Sequence, residues 1–276
     1  MRGVRRDAEY MDDPRLLEYV QSLWAPLVAQ ARANGNITAE IETRFSWEAF
    51  LVRDRSVNAF ALPGGYVGVH LGLIALTGSR DELAAVLAHE LSHVTQRHIA
   101  RGITNSKRQS LIGLAAMIIG VIAASRANST DGVAAVVTGG QAASIQGQLN
   151  FSRDMEREAD RIGFAVLTGA GFSPGGMAAM FEKLDQSSRL NDSGGYPYLR
   201  SHPLTTERIG EARARMGTAT ARAAPGPGGT GFEHALAQAR SRVLMDTRVD
   251  ALRRRPALHA TRPDLTTAQR PSDAYS

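Results

Sequence analysis

The chain has 276 residues, 43% hydrophobic and 21% charged, so it can bury a sizeable core, and neither wholesale disorder nor a fibrous repeat fits. It contains no cysteine, which excludes disulfide scaffolds, thiolate metal sites and cysteine nucleophiles. Its formal net charge is +5, and arginines gather near the C-terminus. No aromatic side chains alternate with them, so we expect a solvated basic tail and no nucleic-acid partner.

The N-terminal part of the chain predicts a helix followed by a strand. Residues 1–13 are expected to be a flexible segment, whereas residues 14–33 carry apolar side chains at helical spacing. Pro26 lies inside that run and is expected to bend or break the helix. Residues 44–52 are rich in Phe and Trp, which favours a strand.

A β-hairpin and a long helix are predicted next. Residues 57–62 and 66–70 flank a Pro-Gly-Gly turn, which indicates a hairpin. This hairpin can close a small sheet, or its edge can pair with an extended peptide, and the sequence leaves both open. Ser79 and Glu82 have the spacing of a capping box, and the helix they open is expected to end at Gly102.

The second half of the chain alternates apolar and helical segments. Leu111–Ala124 is apolar but shorter than the roughly 20 residues that cross a bilayer, so it is expected to be a buried helix or a segment that contacts a membrane surface. Residues 152–167 predict a helix, and another helix is predicted to begin at Ser173.

Composition divides the chain into one large domain and its C-terminal extensions. Residues 14–216 are predicted to be the folded domain, and residues 217–231, rich in Ala, Pro and Gly, read as a linker. Residues 232–255 can form one more helix, and residues 256–276 are expected to be a disordered basic tail.

The passage His89–Glu90–Leu91–Ser92–His93 carries the clearest chemical signal. Residues four apart share one face of a helix, so His89 and His93 can present ring nitrogens to one metal ion, while Glu90 can act on a water without ligating. A packed pair of structural histidines is the alternative. His98 lies about half a turn away from His89 in helical projection, so it is expected to face away.

A catalytic zinc site uses three protein ligands, and the third must come from elsewhere in the chain. Glu156 and Asp160 are four apart in the predicted helix 152–167 and share a face. Glu156 could ligate, and Asp160 could accept a hydrogen bond from a ligand histidine, as carboxylates beside metal sites do. Glu158 points elsewhere and should be solvated or paired with an arginine. Charged helices often show this spacing, so on the residues alone the assignment stays open.

Several motifs, taken together, resemble one family. The segments are Asn58–Ala61 with a Pro-Gly-Gly turn, Leu87–Val94 with Gln96–His98, Glu156–Gly163, and Ser201–His202–Pro203–Leu204. They resemble the HtpX-like zinc metallopeptidases, which include the CAAX prenyl endopeptidases, and are most similar to the periplasmic BepA-like branch. The resemblance covers about residues 10–216. It implies an α+β, mostly helical zincin-like fold with a small sheet or hairpin beside the HExxH helix.

The resemblance also implies the site residues. His89, His93 and Glu156 would ligate one Zn²⁺ per chain, Glu90 would be the general base, and Asp160 would orient a ligand histidine.

In the BepA-like branch a histidine in the Ser-His-Pro context can occupy the fourth zinc position and latch the enzyme; here that residue is His202. The alternative is an ordinary loop histidine before a proline. His202, or more weakly Tyr196 or Tyr198, could also donate a hydrogen bond to the oxyanion. BepA-like proteins carry tetratricopeptide repeats after the protease domain, a pattern not found in this sequence.

The resulting hypothesis is a zinc endopeptidase that acts on unfolded or misassembled envelope proteins. Residues 1–10 are not followed by an apolar segment, so no signal peptide is expected, and the protein is either cytoplasmic or exported with its leader absent from this sequence. A periplasmic location rests on the resemblance. A zinc-bound, latched holdase with little turnover is the alternative. A third hypothesis is an adaptor that contacts the membrane surface through Leu111–Ala124.

Overall fold

The computed structural model describes residues 4–107, 152–190, 196–219 and 231–246. The chain divides into two compact units, Met1–Thr95 with Ala159–Ser276, and Gln96–Glu158. The described residues form mostly helices and one small sheet, which confirms the predicted α+β class. Among the described helices, none has both the length and the apolar character of a membrane span. The predicted apolar segment Leu111–Ala124 lies outside the described residues.

The first unit holds the whole sheet and most of the helices. A 3-10 turn, Val4–Arg6, precedes the strands β1 (Tyr10–Met11), β2 (Glu48–Val52), β3 (Ala59–Leu62) and β4 (Tyr66–His70). The helices are α1 (Pro14–Ala33), α2 (Ala39–Arg44), α3 (Leu71–Leu76), α4 (Arg80–Thr95), α5 (98–107), α6 (152–169), α7 (Gly175–Leu190), α8 (Pro197–Ser201), α9 (Thr206–Ala219) and α10 (Gly231–Met245). Helix α5 and the first turns of α6 belong to the second unit.

The sheet has the strand order β1-β2-β4-β3, which leaves β3 at an edge. Strand β4 pairs antiparallel with β3 and parallel with β2, so the predicted hairpin is confirmed. Phe60 lies opposite Gly68 across the hairpin, and a Cβ on Gly68 would be 2.5 Å from the Phe60 ring. This contact explains the glycine in the middle of a buried strand. Strand β1, from the segment predicted to be flexible, pairs antiparallel with β2.

The prediction of a strand over residues 44–52 is wrong for its first half. Helix α2 ends at Arg44, and only Glu48–Val52 is extended in the sheet. Trp47 has a φ of 50°, in the left-handed region, so the chain turns just before the strand begins. The indole of Trp24 donates to the Trp47 carbonyl at 2.7 Å and anchors this turn on α1.

Helix α1 is continuous through Pro26, so the predicted break is wrong. Its N-terminus is capped by Asp13, whose carboxylate accepts from the Leu16 N–H at 2.9 Å. A proline inside a helix costs about 3 kcal/mol. The side chains around it, which include Trp24 and Leu27, are buried in the core. Burying one large apolar side chain stabilises the fold by about 1.5–3 kcal/mol. Packing therefore outweighs the proline.

Helix α4 runs through the core, with every residue from Glu82 to Thr95 buried. The Glu82 N–H donates to the Ser79 hydroxyl at 3.2 Å, which confirms the predicted start. The predicted end at Gly102 is wrong. The helix stops at Thr95, Arg97 adopts a φ of 56°, and Gly102 lies within α5.

The helices after residue 151 follow the predicted pattern. Helix α6 covers the predicted helix 152–167, and α7 begins two residues after the predicted position at Ser173. Helix α10 packs on α3 and α1, and its Arg240 makes two hydrogen bonds to the capping residue Asp13, at 2.8 and 2.6 Å. Most of the predicted linker and the tail lie outside the described residues.

Candidate metal centre

Two histidines of α4 face one another in the core of the first unit. His89 and His93 lie one helical turn apart, as their spacing predicts, and their Nε2 atoms are 3.0 Å apart. The ring of His89 is almost completely buried and that of His93 is nearly so. Two buried imidazoles whose Nε2 atoms converge are suited to share one cation.

A third histidine reaches the same place from the loop after α8. His202 caps the end of α8, and its N–H donates to the Tyr198 carbonyl at 2.8 Å. Its Nδ1 lies 3.3 Å from His89 Nε2. Ligand atoms around a tetrahedral zinc with bonds of 2.0–2.1 Å are about 3.3 Å apart, so the separations of 3.0 and 3.3 Å suit such an ion. The structure thus brings the predicted latch residue to the predicted ligands.

Glu90 follows His89 on α4 and is 1% exposed. Its Oε1 lies 3.4 Å from the Nε2 of His202. The two nitrogens of the His202 ring therefore face different groups: Nδ1 faces His89 and Nε2 faces the Glu90 carboxylate. Any small molecule placed between His89 and Glu90 would have to displace this ring.

Asp160 of α6 lies beside the His89 ring. Its Oδ1 lies 2.9 Å from His89 Nδ1, while the Nε2 atom of the same ring faces His93 and His202. A carboxylate in this position is suited to keep the proton on Nδ1 and the lone pair on Nε2. Burial alone would raise the pKa of Asp160, but hydrogen bonds from Arg208 and His89 outweigh it, and the pKa lies below its ordinary value. The carboxylate is therefore charged at neutral pH.

Arg208 of α9 is the functional candidate that the sequence reasoning missed. Its Nε and Nη2 donate to the two carboxylate oxygens of Asp160 at 2.7 and 2.8 Å, and it is 5% exposed. One signal could have found it. Arg208 lies four residues before Ala212, which is fully buried, so the helical period places this arginine on the buried face of α9, where it needs a carboxylate partner.

Glu156 lies one turn before Asp160 on α6 and is buried. Its carboxylate is a donor that could hold a metal ion. Three imidazoles and one carboxylate, without a thiolate, form a donor set that zinc accepts. The side chains present therefore fit the metal that the motif implies.

The remaining candidates lie around this group or apart from it. The Tyr198 ring packs against His202, with 4.7 Å between ring centroids, and Tyr196 is half-buried at the start of α8. His98 is not on α4 at all, because the helix ends before it. It lies 3.0 Å from Glu158, which also accepts from Arg101, so the predicted arginine partner of Glu158 is present.

Metallopeptidases of the HExxH class carry their paired histidines and the intervening glutamate on one buried helix, with a third ligand from a later element. The fold and the site place the chain in that class, among the metalloendopeptidases.

The comparison with protein families gives the particular group. The model of peptidase family M48 matches residues 18–216, and the chain belongs to that family. It is 41% identical over 215 residues to the putative beta-barrel assembly-enhancing protease of Vibrio cholerae, covering 78% of this chain and 42% of that protein. The beta-barrel assembly-enhancing protease of Escherichia coli K12 is 37% identical with the same coverage.

A more distant relative is mitochondrial. The mitochondrial metalloendopeptidase OMA1 of Saccharomyces cerevisiae is 29% identical over 200 residues, covering 69% of this chain and 53% of that protein. The chain spans about two fifths of the length of the bacterial relatives, at 42%. The predicted resemblance to the BepA-like branch is thereby confirmed.

Proposed function

We propose that this protein is a zinc-dependent endopeptidase that hydrolyses peptide bonds in unfolded or misassembled envelope proteins. The observation that carries the proposal is the convergence of three imidazoles, those of His89 and His93 buried and that of His202 largely so, with nitrogens 3.0 and 3.3 Å apart, beside the buried carboxylate of Glu90. Family membership supports the same reaction class.

The ligand roles follow from the donor atoms. His89 and His93 would hold zinc through Nε2, and Glu156 would supply the carboxylate ligand. Asp160 would keep the His89 ring in the required orientation and protonation state by holding its Nδ1 hydrogen. A bound zinc would lower the pKa of a water towards about 7 and polarise the scissile carbonyl.

Glu90 would perform the proton transfers. Its carboxylate is buried next to the histidine pair, which suits it to take a proton from the attacking water and return it to the leaving amine. Glutamine keeps the shape of this side chain but cannot accept that proton. The role is therefore separable from metal binding.

His202 would act as a latch. Its ring lies 3.3 Å from His89 and 3.4 Å from Glu90, in the space that the attacking water needs. Turnover would require the ring to leave, and a displaced His202 could then donate a hydrogen bond to the oxyanion. The same contacts support the alternative function, a zinc-bound holdase in which the latch stays closed.

The edge strand β3 would bind the substrate as an added strand. The sheet order leaves β3 paired with β4 on one side, and main-chain pairing on the other side would give loose sequence selectivity. Just before β3, the Val57 carbonyl accepts from the Tyr198 N–H at 3.3 Å, so the segment that ends in His202 is anchored beside this edge. A chain must be extended to pair there, which favours unfolded substrates.

The substrate class and compartment come from the relatives' names. The bacterial relatives are beta-barrel assembly-enhancing proteases, so we propose misassembled outer-membrane proteins as substrates and the periplasm as the location. Peripheral membrane contact through Leu111–Ala124 remains part of the proposal, on the apolar sequence of that segment and its flanking Lys107, Arg108 and Arg126.

The Glu90→Gln variant tests the proposed reaction. We expect it to bind one equivalent of zinc and to lose about 10²- to 10⁴-fold in the rate of casein cleavage, the range that general-base catalysis contributes. Zinc content after gel filtration and release of acid-soluble peptides are the measurements. Glu207→Gln, on the exposed start of α9, is the matched control and should retain the wild-type rate. Full activity of Glu90→Gln would contradict the assignment.

A further inference from the structure

Arg208 contacts two parts of the site at once: Asp160, which lies beside the His89 ring, and the peptide next to His202. Its Nε and Nη2 bind both oxygens of Asp160, the carboxylate that holds His89. Its third nitrogen, Nη1, donates to the Pro203 carbonyl at 2.8 Å, and Pro203 follows His202 directly in the chain. One planar guanidinium thus holds the support of a metal ligand and the peptide beside the latch.

The guanidinium has little freedom of its own. Its central carbon lies 5.0 Å from the centre of the Phe181 ring, a cation–π distance. The Arg208 N–H donates to the Thr205 hydroxyl at 3.3 Å, which fixes the first turn of α9. Arginine presents its donors in a rigid fork, so the Asp160 carboxylate and the Pro203 carbonyl are held in one geometry relative to each other.

We propose that Arg208 is a positioning residue that couples the latch to the metal site. It holds Pro203, and with it His202, in a fixed position relative to Asp160 and the His89 ring that Asp160 contacts. This inference rests on the proposed function, and it goes beyond the ligand and base assignments. Opening the latch would then require the bond between Nη1 and the Pro203 carbonyl to break. A simple buried ion pair with Asp160 would stabilise the fold without affecting how His202 acts on the metal.

A double-mutant cycle on zinc affinity separates these roles. We would measure zinc dissociation constants by competition with a chromogenic chelator for the wild type and His202→Ala, each with Arg208 intact and with Arg208→Lys. Lysine keeps the positive charge opposite Asp160 but cannot bind its two oxygens and the Pro203 carbonyl together. Arg213→Met is the matched control background, because Arg213 lies on the same helix as Arg208 and makes an exposed ion pair with Glu182 of α7.

We expect His202→Ala to raise the zinc dissociation constant by a measurable factor when Arg208 is intact. That factor should fall at least about threefold in the Arg208→Lys background, because contacting residues are not additive, and should stay within about twofold in the Arg213→Met background. An unchanged factor in Arg208→Lys would overturn the proposal.

Folding and function are controlled separately in the same experiment. Arg208→Met, which removes the charge and keeps a long side chain, gives a second background, and far-ultraviolet circular dichroism without zinc checks each variant. Loss of the fold in both Arg208 variants would make the role structural and would also overturn the proposal. Zinc affinity needs no turnover, so a protein that binds zinc and cleaves nothing would contradict the proposed function alone.

Discussion

Two polar clusters in the first unit, one with three histidines and one with a single histidine, have opposite surroundings. In the candidate metal centre, the nitrogens of His89, His93 and His202 face one another at 3.0 and 3.3 Å. His234 of α10, in contrast, donates from Nε2 to the Thr77 carbonyl at 2.9 Å and accepts at Nδ1 from the Tyr19 hydroxyl at 2.5 Å. Burial alone therefore does not mark a ligand; the partner of each nitrogen does.

The two clusters also differ in charge. Asp160 and Glu90 bring buried carboxylates to the metal centre, whereas Tyr19 and Thr77 offer only neutral groups to His234. Carboxylates next to imidazoles favour a bound cation, and neutral partners favour a neutral ring. The first cluster is suited to a metal and the second to joining α10, α1 and the end of α3.

Loss of a ligand histidine should have the largest effect. We expect His93→Ala to bind no zinc and cleave no casein, and to gain no stability from zinc. The wild type should gain about 4 kcal/mol in free energy of unfolding when free zinc is 1,000-fold above its dissociation constant. Denaturant unfolding with and without zinc measures this. His234→Gln is the comparison variant, and its failure to gain stability from zinc would contradict the distinction between the clusters.

Asp160→Asn should weaken zinc binding about 10- to 100-fold, the usual cost of losing a carboxylate that orients a metal-bound imidazole. Competition with a chelator gives the dissociation constant. Asp154→Asn removes an exposed ion pair to Arg157 two turns earlier on α6 and should bind zinc as the wild type does. Equal zinc affinities for the two variants would contradict the role of Asp160 in orienting His89.

Tyr19→Phe should affect only the second cluster. The variant leaves the Nδ1 atom of His234 without its hydroxyl partner, which costs about 1–3 kcal/mol in the free energy of unfolding of the zinc-free protein. Zinc affinity should stay within about twofold of the wild type, because distant substitutions usually have additive effects. A large loss of zinc affinity would show that the clusters are coupled.

Lowering the pH should reduce the free energy of unfolding through His234, by less than the substitutions above. Burial lowers the pKa of His234 from its ordinary value of 6.5, although the Thr77 contact opposes this. Between 6.5 and the lower folded value the unfolded chain binds a proton that the folded chain does not, so stability is full above pH 6.5 and falls as the pH drops. Burial also lowers the pKa of His70 and His98, so His234→Gln should reduce this fall without abolishing it. Melting temperatures of the zinc-free protein from pH 7.5 to 5.5 test this, and an identical fall in the variant would contradict it.

The local parts of the fold could be predicted from the sequence. The start of α4, the hairpin of β3 and β4, and helix α6 follow from capping, turn and periodicity signals within a few residues. The errors at Pro26 and Gly102 have one cause. Breaker residues give a local preference, and packing of the whole chain decides whether a helix ends there.

The site was only partly predictable for the same physical reason. His89 and His93 are encoded by a four-residue spacing, so the sequence shows them directly. Arg208 is 48 residues from Asp160, and Tyr19 is 215 residues from His234, so no local pattern pairs them. Placing His202 required the resemblance to a family, because a histidine before a proline has no geometric signal of its own.

The central claim is that this chain is a zinc peptidase held closed by His202, and one comparison tests it most directly. The rate of casein cleavage at one equivalent of zinc should be measured for the wild type, Glu90→Gln and His202→Ala. We expect His202→Ala to cleave faster than the wild type and Glu90→Gln to be inactive. If the wild type and His202→Ala both bind zinc and neither cleaves casein, the claim is contradicted and the holdase is favoured.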